Sequence, residues 1–334
     1  MKVSETGEFG LIDLLGKAVS RSSNPDHLSQ KRLVVGIGDD AAAWKGDVSL
    51  QLATTDTMVE GVHFIPGTFQ WEELGWKAMA ANLSDIAAMG GSPLYALVSL
   101  SLPDSSEVEA VLSLFRGMLD MGSKYGVAVV GGNISSAPVM VITITLLGRL
   151  KGQAMLLRST ARPGDRVAVT GHLGASAAAV AMFRETLHPD PETSALLRQA
   201  HFHPEPRVAE GQALLKLGVR TAIDISDGLV SDLTHVCEAS SVGARVLASD
   251  VPVHPAVRAA CGPDSLRFAL GGGEDFELLF TASNEIVERA RATLPVPVTV
   301  VGDIVSEHAG KVAVYGKDGK KLTPKTTGWD HFRK

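Results

Sequence analysis

Carboxylates recur in this chain where they are hardest to accommodate, in short apolar runs beside Gly, Ser or Thr. Val34-Val35-Gly36-Ile37-Gly38-Asp39-Asp40 reads as a buried strand that closes on two acids. Leu50-Gln51-Leu52-Ala53-Thr54-Thr55-Asp56-Thr57 carries one acid among hydroxyls. Asn82-Leu83-Ser84-Asp85, Ala222-Ile223-Asp224-Ile225-Ser226-Asp227-Gly228 and Gly272-Gly273-Glu274-Asp275 repeat the arrangement. A carboxylate withdrawn from water must be protonated, paired or bound to a cation. Few Lys or Arg lie near these clusters in sequence, and hard oxygen donors without His or Cys suit Mg²⁺. The pattern predicts a fold built around divalent metal and phosphate.

Strand-like and helix-like runs alternate throughout, which predicts an α/β or α+β architecture. Helices are expected over 72–89 and 107–125, the second with Val108, Val111, Leu112 and Phe115 on its apolar face. A buried strand over 127–130 should run into Gly131-Gly132-Asn133, followed by a β-branched strand over 139–147. The 334 residues favour two domains, and turn chemistry between Arg149 and Pro163 places the boundary there, giving 1–149 and 150–334. Beyond it, strands are expected over 166–170, 222–226, 276–281 and 298–301. Helices should follow Gly171-His172-Leu173-Gly174 and occupy 228–239 and 285–294, with a closing hairpin at Asp318-Gly319.

Composition narrows the functional classes. The formal charge of -6 advertises no basic surface for nucleic acid. The two cysteines, Cys237 and Cys261, have no Cys-x-x-Cys spacing and predict neither a disulfide framework nor a zinc site. No apolar run has membrane-spanning length, and the first nine residues carry two acids without a signal-peptide core. A cytoplasmic protein with no membrane or nucleic-acid partner is expected.

Each motif has a structural reading beside its chemical one. Asp85 stands near the C-terminal end of its helix, where the macrodipole disfavours negative charge. It is either a polar position bonded to nearby backbone or a metal ligand, and the other acidic strand ends favour the metal. Asp39 and Asp40 could form an Asx turn, and adjacent acids usually diverge, so one ligand at most is expected there. Thr54, Thr55 and Asp56 are an exposed strand end or a Mg²⁺ ligand set. At 224–228, Ser226 or Asp227 could cap the following helix, which is compatible with metal binding. Gly131-Gly132-Asn133 and Gly171-His172-Leu173-Gly174 could cradle phosphate or be tight turns. Neither a P-loop nor the His-Arg-Asp set of protein kinases occurs. His63, Arg158 and Arg207, each isolated, read as structural or surface residues.

Several motifs together resemble the thiamine-monophosphate kinase family, within the aminoimidazole-ribotide synthetase-like ATP enzymes. They are Gly7-Glu8-Phe9, 36–42, Thr55-Asp56-Thr57 with Gly61-Val62-His63-Phe64, and Lys77-Ala78 through Asn82-Leu83-Ser84-Asp85 to Gly90. Ala222 through Gly228-Leu229, 272–278 and Gly328-Trp329-Asp330-His331-Phe332 complete the set, in order along nearly the whole chain. The resemblance implies an N-terminal α/β domain that dimerises through its sheet and a C-terminal α/β domain, with ATP and several Mg²⁺ ions in a cleft between them. Carried over by motif, Asp40, Thr54, Thr55, Asp56, Asp85, Asn133, Asp224 and Asp227 become metal positions, with Asp56, Asp85 and Asp224 central to catalysis. Tyr125, Gly132, Asn133, Arg158 and Ser226 would face ATP, and His63, Glu274 and Trp329 the thiamine phosphate. The family commonly reads Gly-Gly-Asp-Thr-Thr where this chain has Gly131-Gly132-Asn133-Ile134-Ser135, so Asn133 brings a carbonyl oxygen but no charge.

The implied reaction is direct in-line, Mg²⁺-assisted phosphoryl transfer from ATP to thiamine phosphate. Two alternatives remain: another ATP-dependent synthetase of the same superfamily, or a catalytically inactive nucleotide-binding regulator. The absence of a reactive Cys near the N-terminus disfavours a selenophosphate-forming synthetase. Asn133 is the one feature that supports the regulator.

Overall fold

The computed structural model describes residues 1–37, 41–323 and Gly328. The chain divides into two compact units, Met1–Ile86 with Ser92–Gln153, and Ala87–Gly91 with Ala154–Lys334.

The first unit runs α1 (Val3–Ser22), α2 (Leu28–Arg32), β1 (Leu33–Val35), β2 (Ala43–Trp44), β3 (Gln51–Val59), α3 (Trp71–Ala88), β4 (Ser92–Leu102), α4 (Val108–Lys124), β5 (Ala128–Ser136) and β6 (Val141–Arg149). The last residues of α3 fall in the second unit. Among the described residues, the main sheet has the order β3-β6-β4-β5, with β4 and β5 parallel and the other neighbours antiparallel. Alternation along β6 buries Ile142, Ile144 and Leu146 on one face, and α3 contributes Ile86 there, against Gly148. The opposite face carries hydroxyls: Thr57 meets Thr143 (2.9 Å), Thr145 meets Thr55 (3.2 Å) and Ser101 meets Ser135 (2.9 Å).

Helices α3 and α4 touch backbone to backbone. A Cβ on Gly75 would lie 1.9 Å from the Leu114 carbonyl oxygen, and one on Gly117 1.9 Å from that of Glu72. Only glycine permits this approach. The apolar face of α4 consists of Val108, Val111, Leu114, Phe115 and Met118; Leu112, expected on it, is half-buried because the helical period selects Leu114 instead.

The expected buried strand at 34–40 is corrected over 34–37, since 38–40 lie outside the described residues. Among the described residues β1 is three residues long, pairs with β2 alone, and leaves Val34 62% exposed. Leu33 packs on the buried cluster around Tyr95 and Trp44 meets the Tyr95 ring, but alternation turns Val34 away, so the ribbon is covered on one face and is not a core strand. A second correction concerns Gly131-Gly132-Asn133, which lies inside β5 rather than after a strand. Gly132 is required there because a Cβ would lie 1.8 Å from the Val98 carbonyl oxygen of the neighbouring strand.

The second unit runs β7 (Arg166–Thr170), α5 (Ala175–Phe183), α6 (Pro191–Phe202), α7 (Val208–Leu217), β8 (Thr221–Asp224), α8 (Leu229–Ser240), β9 (Gly243–Leu247), α9 (Pro255–Cys261), α10 (Ser265–Gly271), β10 (Leu278–Ala282), α11 (Asn284–Thr293), β11 (Val298–Val305), β12 (Val312–Tyr315) and β13 (Lys321–Leu322). Its sheet has the order β13-β12-β9-β11-β7-β10-β8, and only β12 and β9 pair in parallel. Leu229, Leu233 and Val236 of α8 enter one buried cluster with Val169, Val246 and Leu279 of the sheet. β12 and β13 form the expected hairpin, with Gly319 at φ 74° in its turn. Among the described residues no helix is long and apolar enough to cross a membrane.

Gly117→Ala should force α3 and α4 apart and cost about 2 kcal/mol or more, as overpacking does. A fall in Tm of at least about 4 °C is expected for a domain of this size. An unchanged Tm in thermal denaturation would show that the helices do not meet at these glycines.

Candidate functional site

In the first unit, β3 and α3 bring three predicted positions together. The strand period turns Thr54 and Asp56 toward α3, where Asp85 is half-buried near the helix end. Thr54 Oγ1 donates to Asp85 Oδ2 at 2.5 Å. One helical turn earlier, Asn82 is 1% exposed and accepts the Asp56 backbone N–H through Oδ1 at 3.1 Å. Its Nδ2 donates to the Ala78 carbonyl at 3.1 Å, which orients the amide. Asn82 therefore ties the helix to the edge strand at the proposed ligand Asp56. Sequence inspection placed Asn82 in a motif without a role; its burial on a small-residue helix face was the available signal.

Thr55 stands on the other face of the same strand, where its hydroxyl donates to the Ile144 carbonyl at 3.1 Å. Register carries this separation across the sheet. Thr57, Thr143, Ser99 and Asn133 share one lateral row on the open face. Asp56, Ile144, Val98 and Gly132 share the next row, whose central members are buried. Asn133 thus lies on the opposite face from Asp56 and three strands away, about 14 Å at normal strand spacing. Its side chain does not join the Thr54–Asp56–Asp85 group of its own sheet.

His63 follows β3 in a turn and accepts the Val59 backbone N–H through Nδ1 at 3.0 Å. In the neutral ring the proton is then on Nε2, so this edge of the imidazole is a donor. Tyr125 terminates α4 and is half-buried. Arg158 is exposed, and its carbonyl accepts the Ser240 hydroxyl at 2.8 Å. Asp40 and Trp329 lie outside the described residues.

In the second unit, two acidic loops are stitched together by backbone bonds. Glu274 N–H donates to Ser226 carbonyl (2.8 Å), Phe276 N–H to Ile225 carbonyl (3.0 Å) and Ile225 N–H to Glu277 carbonyl (2.8 Å). The loops approach so closely that a Cβ on Gly273 would lie 2.2 Å from the Ser226 carbonyl oxygen. Glu274 and Phe276 take positive φ, 63° and 51°, a costly backbone state for non-glycine residues. Asp224, 3% exposed, ends β8, while Ser226 and Asp227 are half-buried beyond it. A Cβ on Gly328 would lie 2.4 Å from Ser231 Cβ and 3.2 Å from the Asp227 carbonyl oxygen, so the chain passes over the start of α8 just before Trp329.

Neither Ser226 nor Asp227 caps α8, which corrects that structural expectation. The N-cap is Gly228, and Asp232 reaches back to accept the N–H groups of Asp227 (3.2 Å) and Gly228 (3.0 Å). Burial, and then the neighbouring Asp224 and Asp227, push the Asp232 carboxyl up to about 8. Donor atoms of Asp227, Asp232 and His235 lie within 4.8 Å of one another. Crowded carboxylates of this kind favour a divalent cation, and the oxygen donors of both units suit Mg²⁺.

Other acids of these motifs have structural partners. Asp275 accepts the N–H groups of Gly174 (2.7 Å) and Ser176 (3.4 Å) at the start of α5. The Gly171–Gly174 turn is therefore filled by the protein's own carboxylate and is not an open phosphate cradle. Glu277, 5% exposed, receives Arg207 through Nε (2.7 Å) and Nη2 (2.5 Å) and the Thr170 hydroxyl (2.6 Å). Arg207, read from sequence as a surface residue, is a buttress of β10. His201 Nδ1 lies 2.8 Å from the Ser176 hydroxyl and 3.8 Å from Glu274 Oε2.

The AIR synthase related protein N-terminal domain matches residues 38–150, and the C-terminal domain of the same family matches 162–315. The chain is 38% identical to a thiamine-monophosphate kinase of Bacillus subtilis (strain 168), over 98% of this chain and 99% of that protein. It resembles the crystal structure of a thiamine-monophosphate kinase from Stenotrophomonas maltophilia K279a at TM-score 0.80 and 31% identity, over 93% of this chain and 96% of the other. A solved AaThiL complexed with AMPPCP and TMP matches at TM-score 0.76 and 34% identity, over 99% of both chains.

Burial pushes Asp275 up to about 8, against the pull of the Gly174 and Ser176 N–H groups. In the unfolded chain an aspartate loses its proton near pH 3.9. Between those values the folded protein binds more protons, so this group's contribution to stability falls as pH rises. Asp275→Asn, which cannot ionise, should flatten the decline in Tm between pH 5 and 8. An unaltered pH slope would show that Asp275 is already ionised in the folded protein.

Proposed function

Because the chain belongs to the thiamine-monophosphate kinase family of AIR synthase-related proteins, we propose that it transfers the γ-phosphoryl group of ATP to thiamine phosphate. The products are ADP and thiamine diphosphate. The observation that carries this reading is the match along 99% of both chains to a solved relative complexed with AMPPCP and TMP. The paired acidic groups supply its physical basis.

The acceptor is a phosphate oxygen, already anionic at neutral pH, so no side chain need act as general base. The obstacle is electrostatic: two unit charges about 4 Å apart repel by roughly 4 kcal/mol at an effective dielectric of 20. Thr54, Asp56 and Asp85 in one unit, and Asp224 and Asp227 in the other, are the residues that would hold Mg²⁺. When bound, Mg²⁺ offsets the negative charge of the phosphates and of departing ADP. Thr54 holds one oxygen of Asp85, and Asn82 holds the backbone at Asp56. The Asp85 carboxylate and the backbone that carries Asp56 are thereby held before any ligand arrives, as electrostatic catalysis requires.

His63 offers its Nε2–H to the phosphate of the acceptor. Ser226, Arg158, Tyr125 and Gly132 contact ATP. Glu274 and Trp329 face the thiazolium, a permanent cation suited to a carboxylate and an indole face. Asn133, whose side chain stands on the opposite sheet face from Asp56, is left out of this ligand set. The hydroxyl-bearing face of the β3-β6-β4-β5 sheet joins a second copy of the chain, consistent with the dimerisation implied by the sequence motifs.

Purified protein with ATP, Mg²⁺ and thiamine phosphate should yield thiamine diphosphate and ADP in equal amounts, without free phosphate. Release of free phosphate would favour a synthetase, and no turnover a regulator. Asp56→Asn should lower kcat by at least about a hundredfold, ~2.7 kcal/mol of transition-state stabilisation, with little change in Tm. Near-normal turnover in that variant would refute its role.

A further inference from the structure

We infer that Asp232 is a positioning residue, holding the 224–228 turn in the shape that presents Asp224 and Asp227 to Mg²⁺; this rests on the kinase reading above. The turn leaves β8 at Asp224 and enters α8 at Leu229. Its first half is held through its carbonyl groups, with Ile225 and Ser226 bonded to Phe276 and Glu274. Its second half presents the N–H groups of Asp227 and Gly228, which precede the first helical residue and so look for an acceptor reaching back from α8.

Asp232 takes over this task from inside the helix. Its Oδ2 accepts both N–H groups, from Asp227 at 3.2 Å and Gly228 at 3.0 Å. Its own N–H donates to the Gly228 carbonyl at 2.9 Å, closing the first helical turn. The side chain is 2% exposed, so water is a poor substitute acceptor. Glycine at 228 (φ 127°) is needed for the chain to pass between this carboxylate and Gly271, whose carbonyl carbon would lie 2.9 Å from an added Cβ. Loss of the acceptor leaves one buried donor and one part-buried donor without it, and the turn must rotate to bring them to water. Asp227, at the centre of that rotation, would lose its aim.

Full-length wild type, Asp232→Asn and Asp232→Ala are compared by the Mg²⁺ concentration that gives half of the Mg²⁺-dependent rise in Tm at fixed AMPPCP. The same titration is followed by thiamine diphosphate formation. The amide oxygen of Asn can accept both N–H groups, so its half-saturation should stay within about twofold of wild type. Ala should raise it on the order of tenfold, the usual effect of removing a group that orients metal ligands, while the KM for thiamine phosphate changes much less. If Ala does not fold, Asp232→Ser, too short to reach both donors, should show the same rise. Unchanged half-saturation in Ala or Ser, with only a lower Tm, overturns the assignment in favour of a purely structural cap. An equal rise in Asn and Ala also overturns it, because charge rather than turn shape would then matter. A wild-type chain with no Mg²⁺ response and no thiamine diphosphate would instead sink the kinase reading, and this assignment with it.

Discussion

A carboxylate taken out of water must be met by donors, by a counter-charge or by a cation, and the first two remedies account for three acids within a few motifs. Glu277 is met by the guanidinium of Arg207 and the Thr170 hydroxyl. Asp275 is met by the N–H groups at the start of α5, where the helix dipole favours negative charge. Asp232 is met by the N–H groups of Asp227 and Gly228, yet burial, and then the nearby acids, still push it to hold its proton. Once these three have been assigned, the set left for metal is smaller and better ordered than the acidic content suggests.

Glycine makes that ordering physically attainable. Gly273 lets the 272–277 loop lie on the carbonyl of Ser226, and Gly328 lets the end of the chain cross Ser231. In the first unit, Gly75 and Gly117 bring α3 against α4, and α3 carries Asn82 and Asp85 to the strand bearing Thr54 and Asp56. The Gly75, Gly117 and Gly273 contacts are between backbones, so few rotatable bonds separate the acids from the rigid parts of the fold. Preorganised groups of this kind suit phosphoryl transfer, in which the protein supplies position and field more than covalent chemistry.

Much of this was legible from the residues. The long helices α3, α4, α8 and α11, the strands β7, β8 and β11 and the final hairpin follow from periodicity and turn chemistry. The acidic motifs likewise stood out as departures from apolar patterning, and together they pointed to the family. Local patterning misread β1 because a short apolar run looks the same whether one face or both are covered. It also passed over Asn82, Asp232 and Arg207, whose roles depend on partners distant in sequence or on a reversed cap.

The order of residues along the chain determined which chemistry was available: oxygen ligands, few nearby cations, and glycines where chains must touch. Tertiary structure alone decided which oxygens stand together. Strand alternation put Thr54 and Asp56 on one face and Thr55 on the other, and register carried Asn133 to the far edge of the open face. It also decided which acids were already satisfied, as the bond between Gly174 and Asp275, 101 positions apart, shows. A side chain's protonation, partner and aim depend on what packs within a few ångströms of it, and that neighbourhood exists only once the chain has folded.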